Sequence, residues 1–147
     1  MKTVMLLLCA FAIACGTRPV EKQIVSTADA PKAIGPYSQA VQVGNTLYLS
    51  GQIAIDPATG QMIEGDTKAQ TTRVLENIKG VLNAAGFSLQ DVVQSQVFLG
   101  DLSDYAAMNE AYNSFFLEKF PARAAVQVAR LPLDARVEIM VTAVKVN

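Results

Sequence analysis

From Lys22 onward the chain alternates between two hydrophobic periods. Gln23-Ile24-Val25, Ala40-Val41-Gln42-Val43 and Thr46 to Ile53 have the spacing and the β-branched and aromatic content of strands, and Gly44-Asn45 between the last two predicts a hairpin turn. The polar, Pro-punctuated stretch Ser26 to Pro36 is a loop, and Asp56-Pro57-Ala58-Thr59-Gly60 is turn chemistry that closes the third strand. Between Thr67 and Ala85 the period changes to that of a helix. Val74, Ile78, Val81, Leu82 and Ala85 share one face, Thr67 with Gln70 resembles a capping box, and Gly86 stands at the C-terminal stop. Val92 to Leu99 reads as a strand. A second helix is predicted from Asp104 to Phe120, with Met108, Tyr112, Phe115 and Phe116 as its core stripe. The last strands are Ala124 to Ala129 and Val137 to Val144, joined through Leu131-Pro132-Leu133-Asp134-Ala135. The predicted order is βββαβαββ, an α+β fold with two helices on one face of a mixed sheet. The other face, apolar in part, is left for copies of the same chain, so a homo-oligomer is expected.

The first residues follow a different pattern. Lys2 precedes an apolar run from Val4 to Ala14, and Ala12-Ile13-Ala14 is a small-x-small cleavage pattern, so residues 1–14 are expected to be a secretory signal. The run falls short of the roughly 20 apolar residues that span a bilayer. Cys15-Gly16 at the junction resembles a lipobox, although Ala12 stands where lipoboxes usually carry Leu. The expectation is a lipidated Cys15, a tether over residues 15–22, one domain over 23–147, and export to the periplasm or outer membrane as a lipoprotein, with contact to the membrane only through the lipid.

Removing residues 1–14 leaves 133, enough for a single core. It also removes Lys2, so 11 basic residues face 13 acidic ones, a net charge of −2 without a basic run. That balance argues against nucleic acid as a partner. The chain has no histidine, and its two cysteines, Cys9 and Cys15, fall in the leader or at its end. Ser-His-Asp and Cys-His catalysis are thereby excluded, and the usual nitrogen and sulfur ligands of zinc are missing. Acid–base chemistry must come from a carboxylate, a Tyr or a Lys.

Two charged residues stand out. Arg123 follows Pro121 at the mouth of an apolar strand; its planar fork suits a carboxylate, or pairs with a surface acid. Glu138 lies in the apolar run Val137 to Val144, where an acid either points to solvent or has a task.

The motifs Ala30-Pro31-Lys32-Ala33-Ile34-Gly35-Pro36-Tyr37-Ser38-Gln39-Ala40, Leu49-Ser50-Gly51-Gln52-Ile53, Pro57-Ala58-Thr59-Gly60, Met108-Asn109-Glu110-Ala111-Tyr112, Pro121-Ala122-Arg123 and Val137-Glu138-Ile139 resemble, in order and spacing, the signatures of the YjgF/RidA family. The resemblance covers Ile24 to Val144. It implies a chorismate-mutase-like fold assembled as a trimer with active sites between subunits, and hydrolysis of enamine and imine intermediates such as 2-aminoacrylate to 2-oxo acids and ammonia, without cofactor or metal. By position, Arg123 would hold the substrate carboxylate and Glu138 would activate water and return a proton to the departing ammonia. Tyr37, Ser50 and Gly51 would line the pocket, and Asn109 would either contact substrate or make a structural hydrogen bond. Ala125 stands where many members carry Cys.

Three functions from different classes are open at this point. One is the imine deaminase, the second a non-catalytic envelope module that binds small carboxylates or a protein, and the third a ribonuclease, an activity ascribed to some members of the family.

Overall fold

The computed structural model describes residues 21–146. The expected signal, Cys15 and the tether up to residue 20 lie outside the described residues. Eight elements follow: β1 (Lys22–Val25), β2 (Ala40–Val43), β3 (Thr46–Leu49), α1 (Thr67–Ala84), β4 (Val92–Leu99), α2 (Tyr105–Phe115), β5 (Ala122–Gln127) and β6 (Val137–Val144). This is the βββαβαββ order read from periodicity. They form one six-stranded sheet in the order β1-β2-β3-β6-β4-β5. Every pair is antiparallel except β4 and β5, which run parallel because α2 carries the chain back between them.

Both helices cover one face. Val74, Ile78, Val81 and Leu82 of α1 and Met108 and Tyr112 of α2 are buried against Leu47, Leu99, Val137 and Ile139. Each such side chain contributes about 1.5–3 kcal/mol by leaving water, so this interface carries the fold. The opposite face stays open. By strand alternation it presents Ile24, Tyr48 and Val126, all exposed in the single chain.

Several boundaries differ from the periodicity reading, three of them for a tertiary reason. The N-cap of α1 is Asp66, whose carboxylate accepts from Ala69 N at 2.8 Å, and not Thr67, whose hydroxyl donates to Asp104 Oδ2 instead. Gly86 does terminate the helix, at φ 74°, with Phe87 N donating to Leu82 O at 2.8 Å. Helix α2 ends at Phe115 and not Phe120, because Phe116 leaves the helical path and stacks on Tyr112 with ring centroids 4.6 Å apart. Strand β5 begins at Ala122, two residues early, and β3 stops at Leu49 where Ser50 and Gly51 leave the ladder; the chain rejoins β6 as the isolated pair Gln52–Ile139.

Candidate active site

The break after β3 creates the first half of the site. Ser50 Oγ donates to Ser38 O at 2.7 Å and Ser50 N to Gln39 O at 3.0 Å, so the strand end is tied to the residues that lead into β2, at the end of the Ser26–Ser38 loop. Between this strand end and the loop lies a cavity of about 350 Å³, with Lys32, Ile34 and Tyr37 on the loop side and Ser50, Gly51 and Glu138 on the sheet side. Gly51 leaves the space that the Glu138 carboxylate fills. A Cβ at that position would come 1.9 Å from Glu138 Oε1. The Glu138 carboxylate therefore rests on bare backbone, half-buried, and among the described residues no cation pairs with it. Desolvation raises its pKa above the ordinary glutamate value. A carboxyl group in that state exchanges protons closer to neutrality than a surface acid does. Tyr37 is exposed at the rim, its hydroxyl accepting from Ile34 N at 3.3 Å.

The second half lies between β5 and α2. Arg123 Nη2 donates to Asn109 Oδ1 at 2.6 Å and to the Tyr105 hydroxyl at 3.3 Å, and the guanidinium carbon sits 4.6 Å from the centroid of the buried Tyr112 ring. These contacts orient the fork by polar and cation–π forces. Among the described residues no acid pairs with it, so the surface ion pair that Arg123 allowed on sequence is not formed. Asn109 holds the guanidinium through its side-chain oxygen. Tyr105, one helical turn before Asn109, was not anticipated; its i, i+4 relation to Asn109 is the signal that was available. Hydrogen bonding with Asn109, then with Arg123, and the positive charge of Arg123 lower the Tyr105 phenol below its ordinary value.

The two halves do not meet within one chain. Arg123 is paired with Ser95 and Glu138 with Phe98 on the same strand β4. Positions 95 and 98 have opposite parity, so Arg123 points to the helix-covered face and Glu138 to the open face. The structure thus groups Tyr37, Ser50, Gly51 and Glu138 at one place and Arg123 with Asn109 at another.

Strands β2 to β6, the ties between Ser38–Gln39 and Ser50, and both charged positions fall inside residues 27–145, which match the family model described as endoribonuclease L-PSP. The chain belongs to this family, the YjgF/RidA family. A 2-iminobutanoate/2-iminopropanoate deaminase of the goat, Capra hircus, is 49% identical over 124 residues, covering 84% of this chain and 90% of that protein. The crystal structure of RidA from an Antarctic Psychrobacter superposes with a TM-score of 0.81 at 52% identity, covering 84% of this chain and 99% of the other. TdcF of E. coli, crystallised with bound serine, superposes with a TM-score of 0.81 at 44% identity over the same shares. The match begins at residue 27, beyond Cys15.

Proposed function

We propose that this chain hydrolyses reactive 2-imino acids and their enamine tautomers to 2-oxo acids and ammonia, in sites completed between neighbouring copies of a trimer. The observation that carries the reading is the division of charge: an unpaired guanidinium fork on one sheet face and an unpaired, desolvated carboxylate against Gly51 on the other. Stacked copies would bring the Arg123 half of one against the Glu138 half of the next and would cover the exposed Ile24, Tyr48 and Val126. The relative that is a 2-iminobutanoate/2-iminopropanoate deaminase supports the reaction class, and the serine bound to TdcF supports a ligand bearing the same carboxylate.

In this reading Arg123 takes the substrate carboxylate in two parallel hydrogen bonds and so places the imine carbon over Glu138. An enamine first gains a proton from solvent at carbon and becomes the protonated imine. Water oxygen adds to the imine carbon while Glu138 accepts a proton from that water, giving a carbinolamine. Glu138 returns the proton to nitrogen, the C–N bond breaks, and the hydroxyl proton passes to the departing ammonia as the 2-oxo group forms, so protonated imine and water are consumed and 2-oxo acid and ammonium are made. Ala125 faces the same side of β5 as Arg123, and its small side chain leaves room there. Ribonuclease chemistry finds less support, because the chain has no histidine and no basic excess.

The deciding experiment supplies 2-aminoacrylate enzymatically to the purified protein and follows loss of the imine. Acceleration over the spontaneous rate is expected. Binding of pyruvate without acceleration would replace the enzyme by a carboxylate-binding module. Export and acylation at Cys15 belong to the same proposal; wild type should incorporate a radioactive fatty acid when expressed in a bacterium and Cys15→Ser should not, and equal labelling would dismiss the anchor.

A further inference from the structure

The loop Ser26–Ser38 forms one wall of the Glu138 cavity, yet it contains no strand or helix, and Ile34 and Tyr37 are 68% and 47% exposed. Its only core residue is Ala30, at 1% exposure. A methyl group is too small to hold thirteen residues in one path, so the position of the wall must come from hydrogen bonds.

Besides the Ser50 hydroxyl on Ser38 O, four of them converge on one side chain. Gln39 is 3% exposed, and its carboxamide is fully used. Its Oε1 accepts from Thr27 N at 2.7 Å, and its Nε2 donates to Pro31 O at 2.7 Å, Thr27 O at 3.1 Å and Ala30 O at 3.2 Å. Three carbonyls share its two hydrogens, while its oxygen takes the Thr27 N–H, a pairing of donor and acceptor that an amide supplies. The main chain of the same residue receives Ser50 N, and Ser50 leads directly into Gly51, on which Glu138 rests. Gln39 is therefore the joint between the wall that carries Tyr37 and the floor that carries the carboxylate.

We infer that Gln39 is a positioning residue for the reaction: at the edge of the cavity, with its carboxamide engaged by backbone groups, it fixes the Tyr37 wall against the Glu138 floor. The inference rests on the deaminase reading for its chemistry and on the hydrogen-bond network for its geometry. A wall that drifts by an ångström misplaces bound substrate, and losses of roughly 10- to 100-fold follow from displacements of that size.

The test is a double-mutant cycle on the intact protein with Gln39→Met, which keeps the length and removes all four bonds, and Tyr37→Ala, which removes the wall. Gln39→Met should lower kcat/KM about tenfold in the wild-type background and less than about twofold when Tyr37→Ala is already present. Amide hydrogen exchange should rise about tenfold or more over residues 32–38 and stay unchanged in β6. A loss of equal size in both backgrounds, or unchanged exchange in the loop, overturns the inference, since Gln39 would then act on the whole fold or not at all. Gln39→Glu, which keeps the acceptor and removes the donors, carries the same test if Gln39→Met does not fold. If the wild type has no turnover, the deaminase reading fails, and with it the role of Gln39 in that reaction. The exchange measurement still shows whether the network holds the wall, so the two failures are distinguishable.

Discussion

Gly51 offers the sharpest test of the Glu138 half-site, because its role follows from space and not from backbone conformation; its φ is not among the left-handed ones. In Gly51→Ala the new Cβ would lie 1.9 Å from Glu138 Oε1, 2.8 Å from Cδ and 3.1 Å from Cγ. Ordinary contact begins at about 3.5 Å, so the carboxylate must retreat by roughly 1.5 Å. Overpacking costs about 1–3 kcal/mol, and here the lower part of that range applies because the tip of one side chain can rotate away. The fold should therefore survive, with a modest loss in thermal or urea unfolding. Catalysis should suffer far more, since a displacement of this size costs roughly 100-fold in turnover. Affinity for 2-oxobutanoate, which the proposed reading assigns to Arg123 of a neighbouring copy, should change little. The assay pairs deaminase rate with calorimetric binding, and repeats both in a Glu138→Gln background. There Gly51→Ala should cost less than about threefold, because the group it displaces no longer transfers protons. A folded Gly51→Ala protein with a rate within about twofold of wild type would refute the placement of Glu138 as the proton-transfer group.

Three further outcomes are expected. Glu138→Gln should cut turnover by roughly 100- to 10,000-fold with product affinity nearly intact; its stability should also exceed that of wild type at neutral pH. The sign follows from the raised pKa: between the unfolded and folded values the folded chain holds the extra proton, so wild-type stability falls as pH rises, and the gap should close below the ordinary glutamate pKa when urea unfolding is followed against pH. Arg123→Lys should keep the charge but lose the fork and the seat over Tyr112, raising KM and lowering kcat together; unchanged kinetics would remove the clamp. Arg123→Ala and Glu138→Gln, each inactive alone, should regain up to about a quarter of wild-type activity when co-expressed, because mixed oligomers contain sites with both residues intact. No recovery from demonstrably mixed oligomers would place the site within one chain.

Most of the fold could be read from the chain because hydrophobic period is a local property. Val74, Ile78, Val81 and Leu82 mark a helix face whatever they pack against, and Val137 to Val144 marks a strand. Its errors fell where a distant partner competes for a local group. Asp104 takes the Thr67 hydroxyl that was read as a cap, Ser38 draws Ser50 out of β3, and the Tyr112 ring turns Phe116 out of α2. The candidate residues were likewise visible one by one, since an arginine after a proline and an acid in an apolar strand are anomalies of composition. Their arrangement was not. Whether Arg123 and Glu138 share a face depends on the pairing of each with β4, which joins Ser95 to Arg123 and Phe98 to Glu138 across long sequence separations, and a slip of one residue in either pairing would reverse the answer. Gln39 has the same history: a polar residue in a loop until Thr27, Ala30 and Pro31 fold back onto its amide. Residue type and period determine which elements form and which side chains can do chemistry. Register and loop closure, energies shared between segments far apart in the chain, decide which of those side chains meet.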